Sequence, residues 1–166
     1  SHNPSEFNGI KLIGKKAVQC MISSGINEVK ELILEDKFIN RKGKIKKRNY
    51  LPQYLKIIKR HTQKIKNLKV VVDFGNGLGA ITAVPIYKNL PLKTFYLFEK
   101  PDGSYPNHEA KPSEEKNLID LKREVRKRKA DMGIAFDGDA DRAIFVDEKG
   151  GTVRADHLTA ALVPYQ

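Results

Sequence analysis

Only one cysteine, Cys20, stands among 166 residues. An intrachain disulfide is therefore excluded, and the composition fits a reducing compartment, so a cytoplasmic location is expected. Cys20 lies among apolar neighbours and reads as a buried residue rather than a reactive thiol. Long apolar runs are also missing. No stretch approaches the roughly 20 residues that a membrane-spanning helix needs, and no membrane partner is expected. No signal-peptide pattern occurs. Acids are missing from one long interval: residues 37–72 hold 13 Lys and Arg and no Asp or Glu. Elsewhere 18 bases face 20 acids, so the net charge of +11 comes from one segment rather than a whole surface. Aromatics near that segment are few. Tyr50 and Tyr54 are too few to stack bases, and nucleic acid is not expected as a partner. The run Arg41-Lys42-Gly43-Lys44-Ile45-Lys46-Lys47-Arg48 reads as an exposed, solvated linker, with an anion or nucleic-acid contact as the alternative. Apolar content of 40% is ordinary for a globular chain. The length suffices for one good core, or for one complete and one partial domain.

What is present is concentrated in two places. The first is Ala135-Phe136-Asp137-Gly138-Asp139-Ala140-Asp141-Arg142. Three carboxylates stand at alternate positions on a tight loop after an apolar strand, so they share a face. Converging carboxylates repel one another unless a cation holds them. An all-oxygen donor set suits Mg²⁺, which keeps waters and takes a phosphate oxygen into its octahedron. Arg142 marks where such a phosphate would sit. A solvated acidic loop is the plain alternative. A calcium EF-hand would use Glu148 as its last ligand, but that loop needs glycine where Arg142 stands. The Asp-x-Asp-Gly-Thr loop of aspartyl-phosphate phosphatases would need Gly-Thr where Ala140-Asp141 stands.

The second place is the amino end. Ser1-His2-Asn3-Pro4, followed by Asn8-Gly9-Ile10-Lys11, puts a hydroxyl nucleophile beside a histidine, with a lysine one short loop away. Asn-Pro and Asn-Gly favour turns, so the serine is expected on a loop. Phosphoryl transfer needs an acceptor or donor oxygen, a metal on the transferring oxygens and fixed positive charge. Ser1, the Asp137–Asp141 loop, Arg142 and Lys11 supply that set. A leftover of tag cleavage is the alternative for Ser-His, but the pattern continues well past His2.

Between these ends, 9–13 reads as a strand, and Ile26, Val29, Leu32 and Ile33 share a helical face that Ser24 could cap. About forty residues cannot close a core, so this part is expected to expose apolar surface. Pro52 opens a helix with Tyr54, Ile58, His61 and Ile65 on one stripe. Then strands (69–74, 94–98, 132–136, 143–146) alternate with helices (78–89 interrupted by Pro85, 114–127 with Leu118, Leu121 and Val125 inward, and one starting at Asp156). The pattern predicts an α/β fold: a mixed, largely parallel sheet flanked by helices, with a partial N-terminal α/β domain. Ligands of such sheets lie outside the carboxyl ends of the strands, where Asp137–Arg142 falls. The segment Asp73-Phe74-Gly75-Asn76-Gly77-Leu78-Gly79, with Glu99 closing the next strand, also fits an S-adenosylmethionine-dependent methyltransferase, or nearly a dinucleotide fingerprint. Glycines there admit either a ligand or close helix–strand packing.

Taken together, the motifs resemble those of the α-D-phosphohexomutases, the phosphomannomutase/phosphoglucomutase family. The relatives' phosphoserine loop, Thr-(Ala/Gly)-Ser-His-Asn-Pro-x-x-x-Asn-Gly-x-Lys, is similar to Ser1–Lys11, and their Asp-Gly-Asp-(Gly/Ala)-Asp-Arg metal loop to Asp137–Arg142. Pro101-Asp102-Gly103-Ser104-Tyr105-Pro106-Asn107-His108 looks like their Pro-Asp-Gly-x-Phe-Pro-Asn-His segment, with Asn117 where the following helix begins. Gly75–Gly79, with Pro85 and Leu90, resembles their Asn-Gly-x-x-Gly…Pro…Leu segment. The resemblance implies an intramolecular phosphotransferase that moves a phosphoryl group between C1 and C6 of a hexose phosphate through a phosphoserine and a hexose 1,6-bisphosphate. It implies Mg²⁺ on Ser1, Asp137, Asp139 and Asp141. It makes Ser1, His2, Lys11 and Arg142 the catalytic set, with Lys11 in phosphate contact or proton transfer and His2 orienting the loop. It implies a division into 1–40 as the end of domain 1, 41–50 as a basic linker and 51–166 as domain 2. The relatives' sugar-reading loop of domain 3 and phosphate-binding loop of domain 4 are not found in these residues, nor is the first half of domain 1. The chain is therefore expected to have little or no mutase activity alone and to need the missing domains or a complementary chain. Ala110-Lys111 departs from the relatives' Pro-rich pattern. Asn107-His108 leans away from the amino-sugar mutases, which more often carry Gly-Arg there.

Overall fold

The computed structural model describes residues 7, 9–39, 41–60, 62 and 67–163, which fall in two compact units divided near residue 48. Ser1, His2, His61 and Ile65 lie outside the described residues.

The first unit holds a 3-10 turn over Lys15–Ala17 and helix α1 (Ile26–Leu34). The strand expected over 9–13 does not form. Ile13 alone makes a bridge, to Gln19, and Met21 bridges Ser24 and Gly25. A lone extended segment with so little to pair against is marginal in water. Ser24 does not cap α1 either. Its Oγ accepts the Met21 N–H at 3.1 Å, and Gly25, at φ +119°, takes the N-cap position. The apolar face of α1 forms as expected, yet Val29, Leu32 and Ile33 remain 40%, 47% and 55% exposed. Ile10, Ile22 and Ile39 are more exposed still. So small a unit cannot bury its own apolar residues. Cys20 is half-buried, with its sulfur against Gly25. The described residues of 41–50 carry no helix or strand, and all are exposed.

The second unit runs α2 (Leu51–Lys59), β1 (Leu68–Asp73), α3 (Gly79–Tyr87), β2 (Leu92–Leu97), α4 (Ile119–Arg128), β3 (Met132–Phe136), β4 (Ala143–Asp147), β5 (Thr152–Val153) and α5 (Ala155–Leu162). The strands form one mixed sheet in the order β2-β1-β3-β4-β5. Strand β1 pairs in parallel with β2 and β3, whereas β3–β4 and β4–β5 are antiparallel. The mixed sheet flanked by helices is the one expected, with its four pairings split evenly between the two senses. The interior strand β1 is buried on both faces, which is why it reads as an uninterrupted run, Val70-Val71-Val72.

Alternation along the strands sends side chains to two cores. On one face Leu118, Leu121 and Val125 of α4 and the 3-10 turn before it (Glu115–Leu118) meet Val71, Ala135 and Val146, all at most 3% exposed. Glycine is needed where α4 crosses β3. A Cβ at Gly133 would lie 2.8 Å from Val125 Cγ2 and 2.9 Å from Leu121 Cδ1. On the other face Ala80, Ala83, Val84 and Tyr87 of α3 pack on Val70, Val72 and Ile134. Phe74 stacks on Phe136 with ring centroids 5.8 Å apart. Pro85 sits inside α3 and removes one intrahelical donor, yet the helix continues to Tyr87. Outside α3, Leu55 and Ile58 of α2 face Pro85, Ile86 and Leu90 across a cavity of about 270 Å³. The half-buried stripe of α2 is Leu51, Leu55 and Ile58, at i, i+4 and i+7, and the expected Tyr54 lies on the exposed side at 44%. Among the described residues no helix is long and apolar enough to cross a membrane.

Adjacency of β1 and β3 is what builds the site. Asp73 pairs with Ala135 in parallel register, so the turns that leave both strands emerge side by side.

Truncating Leu121 to alanine empties the centre of the α4 face and is expected to lower unfolding stability by about 2–5 kcal/mol. Gly133→Ala overpacks the same contact and is expected to cost about 1–3 kcal/mol. Urea unfolding with an unchanged slope checks both, and a shift under 0.5 kcal/mol for either would contradict this packing.

Candidate functional site

The loop from Asp137 to Arg142 reverses the chain between β3 and β4. Ala140, at φ +60°, takes the left-handed conformation that the reversal needs, and its N–H donates to the Asp137 carbonyl at 3.1 Å. The Asp137 N–H donates to the Arg142 carbonyl at 3.2 Å, closing the loop at its neck. Asp137, Asp139 and Asp141 each bring a carboxylate oxygen into one cluster, with these atoms within 4.8 Å of one another. Asp137 is fully buried, and Asp139 and Asp141 are exposed. Two unit charges at that separation repel by about 1 kcal/mol even in water-like surroundings. An all-carboxylate set at this spacing, one member desolvated and two open to solvent, fits a hard divalent cation that retains water.

Arg142 supplies the countercharge. Its Nε donates to Asp137 Oδ2 at 2.7 Å, its backbone N–H reaches Asp137 Oδ1 at 3.2 Å, and Nε lies 3.5 Å from Asp141 Oδ1. Burial pushes the Asp137 carboxyl up, but the Arg142 amide and guanidinium outweigh it and leave the group below the usual carboxylate range. Asp137 in turn raises the affinity of Arg142 for its proton. The guanidinium is a five-donor fork engaged here through Nε, and more than half of the side chain is exposed. Pro112, Ser113, Ala143 and Ile144 line a shallow cavity of about 210 Å³ beside it.

The glycine-rich turn after β1 holds this loop from one side. Leu78 N–H donates to the Gly138 carbonyl at 2.8 Å. A Cβ at Gly77 would stand 2.8 Å from Gly138 O and 2.9 Å from Gly138 Cα, and one at Gly79 would stand 2.9 Å from Ala140 Cβ. The glycines therefore serve close packing of two turns. The space that a methyltransferase or dehydrogenase would give a cofactor is filled by the acidic loop itself, and Glu99 is exposed beyond β2.

Residues 101–112 close over the same turn. Asn107 Nδ2 donates to Asn76 Oδ1 at 2.7 Å, Asn76 Nδ2 to the Lys100 carbonyl at 2.8 Å, and the Asp102 N–H to the Asn76 carbonyl at 2.9 Å. Asn117 is buried and bonds the Lys111 carbonyl at 3.0 Å. His108 is inserted between Asp73 and the backbone of Glu109. Asn107-His108 is legible in sequence only as a motif, because Asp73, which His108 meets, lies 35 positions away.

Of the expected site residues, the structure brings Asp137, Asp139, Asp141 and Arg142 together. Lys11 is exposed within the first unit, and Ser1 and His2 fall outside the described residues.

Comparison with known proteins places this arrangement. The family model "Phosphoglucomutase/phosphomannomutase, alpha/beta/alpha domain II" matches residues 48–151. A phosphomannomutase/phosphoglucomutase of Pseudomonas syringae pv. tomato is 37% identical over 95% of the chain, which corresponds to 34% of that protein. A phosphoglucomutase of Neisseria meningitidis serogroup B is 35% identical over 94% of the chain and 34% of its own length. The crystal structure of a phosphoglucomutase/phosphomannomutase family protein from Burkholderia thailandensis superposes with a TM-score of 0.82 at 29% identity, covering 99% of this chain and 36% of that one. The chain thus spans about a third of the length of the curated relatives it matches. The sheet order, the acidic loop with its arginine and these similarities agree, and the chain belongs to the phosphoglucomutase/phosphomannomutase family.

Proposed function

We propose that this chain carries the phosphoryl-transfer half of a phosphohexomutase acting on hexose phosphates, and that the rest of the protein supplies the sugar-reading half. The observation that carries the reading is the Asp137, Asp139 and Asp141 cluster with Arg142 hydrogen-bonded into it, at the carboxyl edge of a parallel strand pair. In this reading Asp137, Asp139 and Asp141 would hold Mg²⁺, and an oxygen of phosphorylated Ser1 would be a further ligand. A bound Mg²⁺ would neutralise charge on the oxygens of the transferring phosphoryl group.

The chain's own residues do the rest. Ser1 Oγ exchanges the phosphoryl group: its O–P bond breaks as the bond to a sugar hydroxyl oxygen forms, and that hydroxyl gives up its proton. Lys11 is the candidate to take the proton or to contact the phosphate, and His2 orients the serine loop. Arg142 offers its free N–H groups to the same phosphate, with a fork that lysine cannot reproduce. After the bisphosphate turns over, Ser1 recovers the other phosphoryl group. The substrates are a hexose phosphate and a hexose 1,6-bisphosphate, and the partners are the protein's remaining domains or a complementary chain.

Asp139 is exposed, so Asp139→Asn is expected to leave the fold intact and weaken Mg²⁺ binding by tenfold or more, measured by calorimetry on the chain. Undiminished affinity would remove Asp139 from the metal set. Intact mass after incubation with Mg²⁺ and glucose 1,6-bisphosphate is expected to rise by one phosphoryl group, and the gain is expected to disappear in Ser1→Ala. A gain that persists in Ser1→Ala would move the acceptor elsewhere.

A further inference from the structure

The pair of half-buried His108 and buried Asp73 lies outside the set of residues expected to bind metal or phosphate. Asp73 ends β1 and is 1% exposed. Its Oδ1 accepts the Gly75 N–H at 2.8 Å, and its Oδ2 lies 3.1 Å from His108 Nε2. The other ring nitrogen, Nδ1, lies 2.9 Å from the Glu109 carbonyl. A carboxylate and a carbonyl are both acceptors only, so both contacts are hydrogen bonds only when both ring nitrogens carry protons. The Asp73 carboxylate holds the proton on His108 above its usual range, burial opposes it, and the Glu109 carbonyl adds to the first effect. Phe98, after β2, packs edge-on against the ring at 5.2 Å, and Asp120 on α4 adds a more distant negative charge.

The ring is wedged against a turn that has no slack. Gly75 is at φ +50°, and a Cβ there would lie 3.3 Å from His108 Cε1 and from Ala110. Two residues on, Gly77 abuts Gly138, and the Leu78 N–H holds the Gly138 carbonyl. Displacement at His108 is thus passed through packed backbone to the residue between Asp137 and Asp139.

We infer that His108, bridging Asp73 and the Glu109 carbonyl, is a positioning residue that sets the Asp137–Asp141 loop for its cation through the Gly75–Leu78 turn. The part that concerns the cation rests on the reading of that loop as a Mg²⁺ site, and the part that concerns the loop does not. Outer partners that orient metal ligands typically change affinity by about 10–100-fold when removed.

The sign of the pH dependence follows from the charged ring. The proton affinity of His108 is raised in the folded state, so its contribution is complete below the unfolded histidine value of about 6.5. It is lost as pH rises through the higher folded value. The wild-type margin over His108→Gln in urea unfolding should therefore shrink on the alkaline side.

The test uses the full 166-residue chain and its His108→Gln variant. Amide hydrogen exchange at Leu78 and Ala140 is expected to be at least tenfold faster in the variant, with unchanged far-ultraviolet circular dichroism. Mg²⁺ affinity by calorimetry is expected to fall about tenfold. It is also expected to decline with rising pH in the wild type, where an all-carboxylate site alone would be flat above pH 6. Unchanged exchange at both amides would overturn the inference even if Mg²⁺ binds. Faster exchange in a chain that binds no Mg²⁺ would keep the loop-positioning part and remove the cation, and with it the Mg²⁺ reading of the loop. Should His108→Gln fail to fold, the wild-type pH profile decides: a flat or rising affinity overturns the proposal.

Discussion

Two turns of the second unit meet at Gly77 and Gly138, with no room for a Cβ on Gly77 between them. Parallel pairing of β1 and β3 brings the ends of both strands to one edge, and the turn that leaves each must then share the same space. Glycine at position 77 lets backbone meet backbone, and the Leu78 N–H finds the Gly138 carbonyl there. The position of the acidic loop depends on that contact. The 101–112 segment depends on it from the other direction, because it is laid over the outer surface of the same turn.

Charge is handled within this frame by selective burial. Asp137 is desolvated and would be costly alone, and Arg142 meets both of its oxygens. Asp139 and Asp141 stay open to water, where like charges are cheaper to hold close. Elsewhere the unit follows ordinary packing rules. Buried Glu124 is met by Lys127 and Arg128 one turn along α4, and Arg128 lies over the Phe95 ring at 4.2 Å. Among the described residues no buried side-chain polar atom is left without a partner.

Much of this was legible in the residues. The β-branched run within 69–74 marked a strand, and Leu118, Leu121 and Val125 at helical spacing marked the face of α4. The alternate aspartates with Arg142 marked the acidic loop. Local spacing carries such information because one period, two or 3.6, decides which side chains share a face. Where the reading failed, tertiary partners decided. Residues 9–13 have strand composition and little to pair with, so one bridge forms. Ser24 suits a helix cap, but it bonds Met21 while Gly25 supplies the conformation that α1 needs to start. The α2 stripe turned to Leu51, Leu55 and Ile58 because α3 lies on that side.

By itself the sequence determined the class of fold, the order of the main helices and strands of the second unit and the chemical character of the acidic loop, since each rests on residues close together in the chain. It also carried the family resemblance, in short motifs kept in order. The tertiary structure alone decided what the glycines of the β1 turn are for. Gly77 and Gly79 could have admitted a cofactor, and only the parallel neighbour β3 fills their space with Gly138 and Ala140. It likewise decided that Asp73 and His108 meet, across 35 residues, and that Asp137 rather than Asp139 or Asp141 is the buried carboxylate. Such facts depend on which strand lies beside which, and strand adjacency is a non-local property that no local period encodes.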